Sequence, residues 1–149
     1  MIIKKLPKMM LYFYREVGAE APSNARHVLH DFLKRIGQDS NTTKTYFFVQ
    51  KKEYEKACCY YIFARAEQEI SNDKQVKTIH IPASEYLTFN IEKNQFDQNK
   101  GNCYQKILAS AHSWAEQNNR QFDTSLVPGL IEEQYIEGYY LYNIYLPLK

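Results

Sequence analysis

The sequence predicts an α+β fold: a tandem β-α-β-β repeat, with an antiparallel sheet, two helices on one face and a ligand cleft between the halves. Three observations predict it. Two segments carry apolar residues at helical spacing, and each is flanked by short runs rich in aromatic and β-branched residues. The order strand, helix, strand, strand then occurs twice, about 75 residues apart. One such unit has too few strands to bury its own sheet, so two side by side are needed. The 149 residues fit one domain, 1–149, with pseudo-repeat halves of about 1–66 and 78–149.

Met9 to Tyr14 reads as the first strand, ended by Gly18 and the Ala21-Pro22 break. Ser23 or Asn24 is the expected cap of the helix that follows. Ala25, Val28, Leu29, Phe32, Leu33 and Ile36 form one stripe along it, and Gly37 stops it. Thr45 to Val49 is the second strand. A charged loop, Lys51 to Lys56, leads into a third strand from Ala57 to Ala66. The polar stretch Glu67 to Lys77, with its Ser71-Asn72-Asp73 turn cluster, reads as a connector.

The second half begins with Ile79-His80-Ile81-Pro82 leading into Tyr86-Leu87-Thr88-Phe89, much as Leu6-Pro7 leads into Leu11-Tyr12-Phe13. Asn99 to Asn102 precedes a helix whose stripe is Ile107, Leu108, Ala111, Trp114 and Ala115, closed by Asn118-Asn119. Leu130 to Ile136 and Tyr139 to Leu146 are the last strands, joined by a Glu137-Gly138 turn.

Composition narrows the function. With 19 basic and 17 acidic residues the net charge is +2, too small and too scattered for a nucleic-acid or membrane-surface partner. No apolar run reaches the ~20 residues of a membrane span, and Lys4, Lys5 and Lys8 interrupt any signal-peptide core. A cytoplasmic location is expected. Cys58, Cys59 and Cys103 are an odd set without C-x-x-C spacing and read as free thiols. His27 and His30 lie three apart on a helix but off its stripe, with no further ligand, so no metal and no cofactor are expected. Gly-rich phosphate loops and nucleophile elbows are missing from the sequence.

Two features point to a binding site. The 13 Tyr and 8 Phe exceed what a core requires and suit a cleft with an apolar body and a polar rim. Glu132 and Glu133 are adjacent in a strand, so one of them faces the apolar side, where an acid needs a partner. Ile131, Glu133 and Tyr135 share one face; Leu130, Glu132, Gln134 and Ile136 share the other. Alternation alone leaves the choice open. Glu133 is preferred because Ile131 and Tyr135 flank it, a setting suited to a cation. Tyr12, Tyr14, Tyr60 or Tyr61, Tyr86, Tyr139 and Tyr145 are candidate wall residues, and Trp114 could reach the cleft.

Ile81-Pro82 before a Tyr-containing strand, Trp114 in the second helix, Glu133-Gln134-Tyr135 and the ending Asn143-Ile144-Tyr145-Leu146-Pro147-Leu148-Lys149 resemble the GyrI-like family. That family includes gyrase-inhibitory proteins and the effector-binding domains of multidrug-responsive bacterial transcription regulators. The resemblance implies a pocket for amphipathic, often cationic and aromatic, small molecules, with a strand glutamate supplying negative charge. Its Glu-x-Tyr pattern falls on Glu133 and Tyr135, and its last-strand aromatic on Tyr145. Glu132 stands where the family usually has an apolar or aromatic residue, and Asn143 where it often has glutamate. The site set is therefore Glu133, Tyr135, Tyr145, Trp114, Tyr14, Tyr61, Tyr86 and Asn143.

The expected function is a stand-alone binding protein for such molecules, for sensing or sequestration, with no room for a helix-turn-helix before Met9 or after Lys149. One alternative is a hydrolase of a reactive small molecule, with Glu133 as general base. Another is a protein-interaction inhibitor of the gyrase-inhibitor type, which needs an exposed acidic or aromatic patch.

Overall fold

Strand-forming and helix-forming runs resolve into ten long elements in the computed structural model, which describes residues 1–50, 58–70, 73–94 and 102–149. In chain order they are β1 (Ile2–Leu6), β2 (Met9–Gly18), α1 (Ala21–Arg35), β3 (Thr45–Gln50), β4 (Cys58–Arg65), β5 (Lys77–Ile81), β6 (Ser84–Glu92), α2 (Asn102–Gln117), β7 (Leu130–Ile136) and β8 (Tyr139–Pro147). The class is α+β, and the strand pairs named below are antiparallel. The expected loop at Lys51 to Lys56, the Ser71-Asn72 pair and residues 99–101 lie outside the described residues.

The chain divides into two units, Lys8–Pro82 and Met1–Pro7 with Ala83–Lys149. These units are not the two repeats themselves. Each repeat begins with an additional strand, and that strand joins the opposite unit. β1 pairs with β6, Ile2 opposite Thr88, while β5 pairs with β2, Leu11 opposite Ile79. Pro7 and Pro82 explain why neither strand folds back on its successor. A residue before proline is held extended, whereas a two-residue hairpin needs positive φ at its turn. Strand order is β3-β4-β2-β5 in one unit and β1-β6-β8-β7 in the other.

In the Lys8–Pro82 unit, α1 lays its stripe on the sheet. Ala25, Leu29, Phe32 and Leu33 are buried with Tyr12, Tyr60, Ile62 and Ala64, and Val28 and Ile36 pack at the margin. The helix begins at Ala21, ahead of the expected Ser23 or Asn24 cap, with Glu20 at its N-cap making no side-chain capping bond. Pro22 sets that start, because proline in the first turn gives up an N–H that would have no helical acceptor.

Both helices stop by the same device. Gly37 has φ 76°, and Gln38 N–H reaches Leu33 O at 3.0 Å while Gly37 N–H reaches Lys34 O at 3.2 Å. At the end of α2, Asn119 has φ 53°; Arg120 N–H bonds Ala115 O at 2.8 Å and Asn119 N–H bonds Glu116 O at 3.3 Å. These are Schellman closures, which favour Gly and tolerate Asn at the left-handed position. Gln38 is buried and donates to Arg65 O at 2.6 Å and Thr43 Oγ1 at 3.0 Å, tying the helix end to β4.

The connector ahead of β5 is held by Asp73. Its Oδ2 accepts from Val76 N–H at 2.7 Å and Gln75 N–H at 3.0 Å, and its Oδ1 lies 3.3 Å from Arg35. The Val76 hydrogen bond above all, then those of Gln75 and the Arg35 charge, hold its carboxyl below the usual range against the opposing effect of burial. A carboxyl depressed on folding stabilises the fold above its unfolded pKa of about 3.9, and that stabilisation disappears as pH falls through the folded value. Asp73→Ala is expected to cost about 1–2 kcal/mol at pH 7 and to remove this part of the acid dependence. Urea melts at pH 7 and pH 2.5 check it: a penalty equal at both pH values would contradict the assignment.

In the other unit the sheet has two contrasting faces. Leu87, Ile91, Ile131, Ile144 and Leu146 are buried on the first, with Phe89 beside them. Counted from Pro82, Leu87 and Phe89 stand where Tyr12 and Tyr14 stand after Pro7, so this is the face equivalent to the one under α1. Accordingly Ile107 of α2 lines a groove with Phe89 and Ile91. The second face carries Tyr86, Thr88, Leu130, Glu132, Asn143 and Tyr145. Among the described residues no helix is long and apolar enough to cross a membrane.

Candidate functional site

The β7–β8 hairpin decides which acid is buried. Glu137 and Gly138 have φ of 50° and 87°, the left-handed pair of a two-residue hairpin turn. Such a turn puts Ile136 opposite Tyr139, and the ladder then runs back to Glu133 opposite Tyr142, Glu132 opposite Asn143 and Leu130 opposite Tyr145. Residues directly opposite in an antiparallel pair share a face. Tyr145 and Asn143 are therefore on the face of Glu132.

Of the two adjacent acids, Glu132 is the one on the face of Tyr145. Glu132 is 8% exposed; Tyr145 Oη donates to its Oε2 at 3.4 Å and Gln134 Nε2 to its Oε1 at 3.1 Å. Tyr86 is fully buried on the same face and meets Tyr145 edge-on, ring centroids 6.4 Å apart. Glu133 points the other way, its side chain 41% exposed and 3.0 Å from Lys93 Nζ.

The remaining expected site residues lie on other elements or faces, each within its own unit. Tyr135 is 64% exposed; it packs on Tyr140 at 4.7 Å, and Lys93 lies over the Tyr140 ring at 5.5 Å. With Ile136 and Tyr139 these rings form an exposed aromatic hairpin tip. Trp114 is half-buried and lines a surface groove with Met1, Ala109, Ser110, Ser113 and Gln117, none of them from β7 or β8. Tyr12 and Tyr14 face α1: Tyr12 Oη donates to Gln68 O at 2.7 Å and Tyr14 Oη to Glu16 at 3.3 Å. Burial raises both phenol pKa values; the Glu16 charge adds to this for Tyr14.

Tyr61 lies on the opposite side of its sheet from Tyr60. It stacks on Phe13 at 6.0 Å, donates to Gln50 Oε1 at 2.8 Å and carries Arg15 over its ring at 5.9 Å. Burial, then the Cys59 thiol, push its pKa up, against Arg15. Cys59 is a free thiol. His27 pairs with Asp31 at 3.3 Å on the exposed side of α1.

Glu132 is one of the two acids that the sequence offers; Thr88, Asn90 and Gln134, which share its face, are not among the expected site residues. The signal was present: the turn at Glu137-Gly138 sets the register, and the register excludes Glu133 from the face of Tyr145.

A buried carboxylate bonded by a phenol, with further carboxamides and rings on the same face, suits a positively charged group bearing an apolar body. The GyrI-like small molecule binding domain matches the sequence over residues 1–149. The chain belongs to the GyrI-like family. No curated protein sequence matches this GyrI-like chain significantly. Among solved structures it is similar to the C-terminal domain of EcmrR, with TM-score 0.67 and 12% identity over 99% of this chain and 96% of that one. It covers 56% of EcmrR in an EcmrR–DNA complex, at 11% identity and TM-score 0.68. A hydrolase from Listeria innocua is similar at TM-score 0.57 and 9% identity, over 99% of this chain and 91% of that one. SAV2435 bound to tetraphenylphosphonium follows at TM-score 0.51 and 14% identity, over 99% and 93%. At these identities the neighbours show the shared GyrI-like fold.

Proposed function

We propose that this GyrI-like domain binds amphipathic aromatic cations, for sensing or sequestration in the cytoplasm, with Glu132 as the charge partner. The observation that carries the reading is the burial of Glu132 on a face with Tyr86 and Tyr145. A cation seated there gains attraction to the carboxylate and contact with ring faces. SAV2435, which shares the fold, is known bound to tetraphenylphosphonium, an aromatic cation. The test is calorimetric titration with 1-naphthylmethylammonium. Saturable one-to-one binding that weakens as salt rises supports the reading, and heats no larger than dilution overturn it.

A second reading is favoured by the Glu132–Tyr145 hydrogen bond. A carboxylate able to activate water beside a phenol able to donate to a developing anion is the minimum for hydrolysis. Mass spectrometry of an electrophilic strained-ring compound incubated with the protein separates the readings: a product heavier by one water that Glu132→Gln no longer forms supports Glu132 as base, and unchanged compound leaves binding alone.

A further inference from the structure

One row of side chains crosses the Glu132 face from strand to strand. Glu132 opposes Asn143, and Asn143 opposes Asn90. With strands spaced about 4.8 Å apart, the row is roughly 10 Å wide. In the next row Tyr145 opposes Thr88, whose Oγ1 donates to Ile2 O at 3.2 Å and so keeps its lone pairs. Among the described residues neither Asn143 nor Asn90 makes a side-chain hydrogen bond. The row thus sets a carboxylate beside carboxamide and hydroxyl groups, each with an oxygen that can accept; the carboxamides and hydroxyls carry donors as well.

The repeat does not impose this. The corresponding row of the other unit, counted along the equivalent strands, is Phe48, Tyr61 and Arg15: two rings and a cation. The acceptor row belongs to β6, β7 and β8 alone.

We infer that the Glu132 site selects cations carrying N–H donors, such as aromatic ammonium, amidine or guanidinium compounds, over fully alkylated or arylated cations of the same size. This rests on the proposed binding function and assigns its ligand class. Oxygens of this row that a bound cation cuts off from water, the buried Glu132 carboxylate above all, disfavour an analogue that has charge but no donor, because they are then left unpaired. A site using only one charge and ring faces would show the opposite order, since a quaternary group sheds its water more easily than a primary ammonium. The sign of the preference therefore separates the two designs.

The experiment is paired calorimetric titration with 1-naphthylmethylammonium and its N,N,N-trimethyl analogue, identical in ring and charge. The expected result is about tenfold tighter binding of the primary ammonium, the worth of roughly one charge-assisted hydrogen bond. Asn143→Val and Asn90→Val, made separately, are expected to narrow that ratio while leaving the circular dichroism spectrum unchanged; Asn90 is exposed, so its variant keeps the test independent of packing. Equal or tighter binding of the trimethyl compound by the native protein overturns the inference and leaves the cation-binding reading standing. A preference unchanged in both variants overturns the role of the row. Failure of both compounds to bind overturns the reading itself.

Discussion

Glu132→Gln is expected to weaken binding of 1-naphthylmethylammonium at least about tenfold, a loss of roughly 1.4 kcal/mol or more, while Glu133→Gln changes it less than about twofold. The two variants remove the same charge from adjacent residues, so total charge and salt effects cancel in the comparison. Their surroundings differ. Glu132 is buried with Tyr145 and Gln134 as partners, where low dielectric strengthens attraction to a bound cation. Glu133 is half-exposed on the other face and already ion-paired with Lys93, an exposed bond worth about 0–1 kcal/mol. Glutamine keeps the shape of Glu132 and an oxygen that can accept from Tyr145, and the circular dichroism spectrum checks that the fold is retained. Titration of both variants decides the matter. Equal losses, or a loss confined to Glu133→Gln, would sink the assignment of Glu132.

That comparison also measures how far the sequence could be read. Periodicity located α1 from Ala25 to Ile36 and α2 from Ile107 to Ala115, because a helix writes its buried face into local spacing. It failed at β7 for a physical reason: Leu130 and Ile131 are both fully buried, so each face of the strand begins apolar and alternation has nothing to distinguish. Register was the missing step. The turn at Glu137-Gly138 was legible, and a two-residue turn already places Asn143 and Tyr145 with Glu132; pairing them with Glu133 was inconsistent with it. The Glu-x-Tyr resemblance pointed to Glu133, which pairs with Lys93 on the other face, and to Tyr135, which ends at the exposed hairpin tip. The exchange of β1 and β5 between units was illegible on other grounds. Ile2-Ile3-Lys4-Lys5-Leu6 lacks alternation, and its partner β6 lies far along the chain, beyond any local pattern.

The largest stability effect is expected at Phe32. Its side chain is 1% exposed and meets the Tyr12 ring edge-on at 4.9 Å. It sits in the centre of the stripe that seats α1 on β2 and β4. Truncation removes the transfer free energy of the ring and leaves a cavity that the surrounding Leu29, Leu33 and Ile62 fill only in part. Phe32→Ala is therefore expected to cost about 3–5 kcal/mol, lowering Tm by on the order of 10 °C for a chain of this length. Leu126→Ala is the control. It also truncates a large apolar side chain, but one that is 54% exposed, and its expected cost is within about 0.5 kcal/mol. Thermal and urea melts of the two variants separate burial from hydrophobicity as the cause. A penalty under about 1 kcal/mol for Phe32→Ala would mean that α1 is not seated through this ring. Because Glu132 lies in the other unit, Phe32→Ala assayed well below its Tm should still bind 1-naphthylmethylammonium with native affinity.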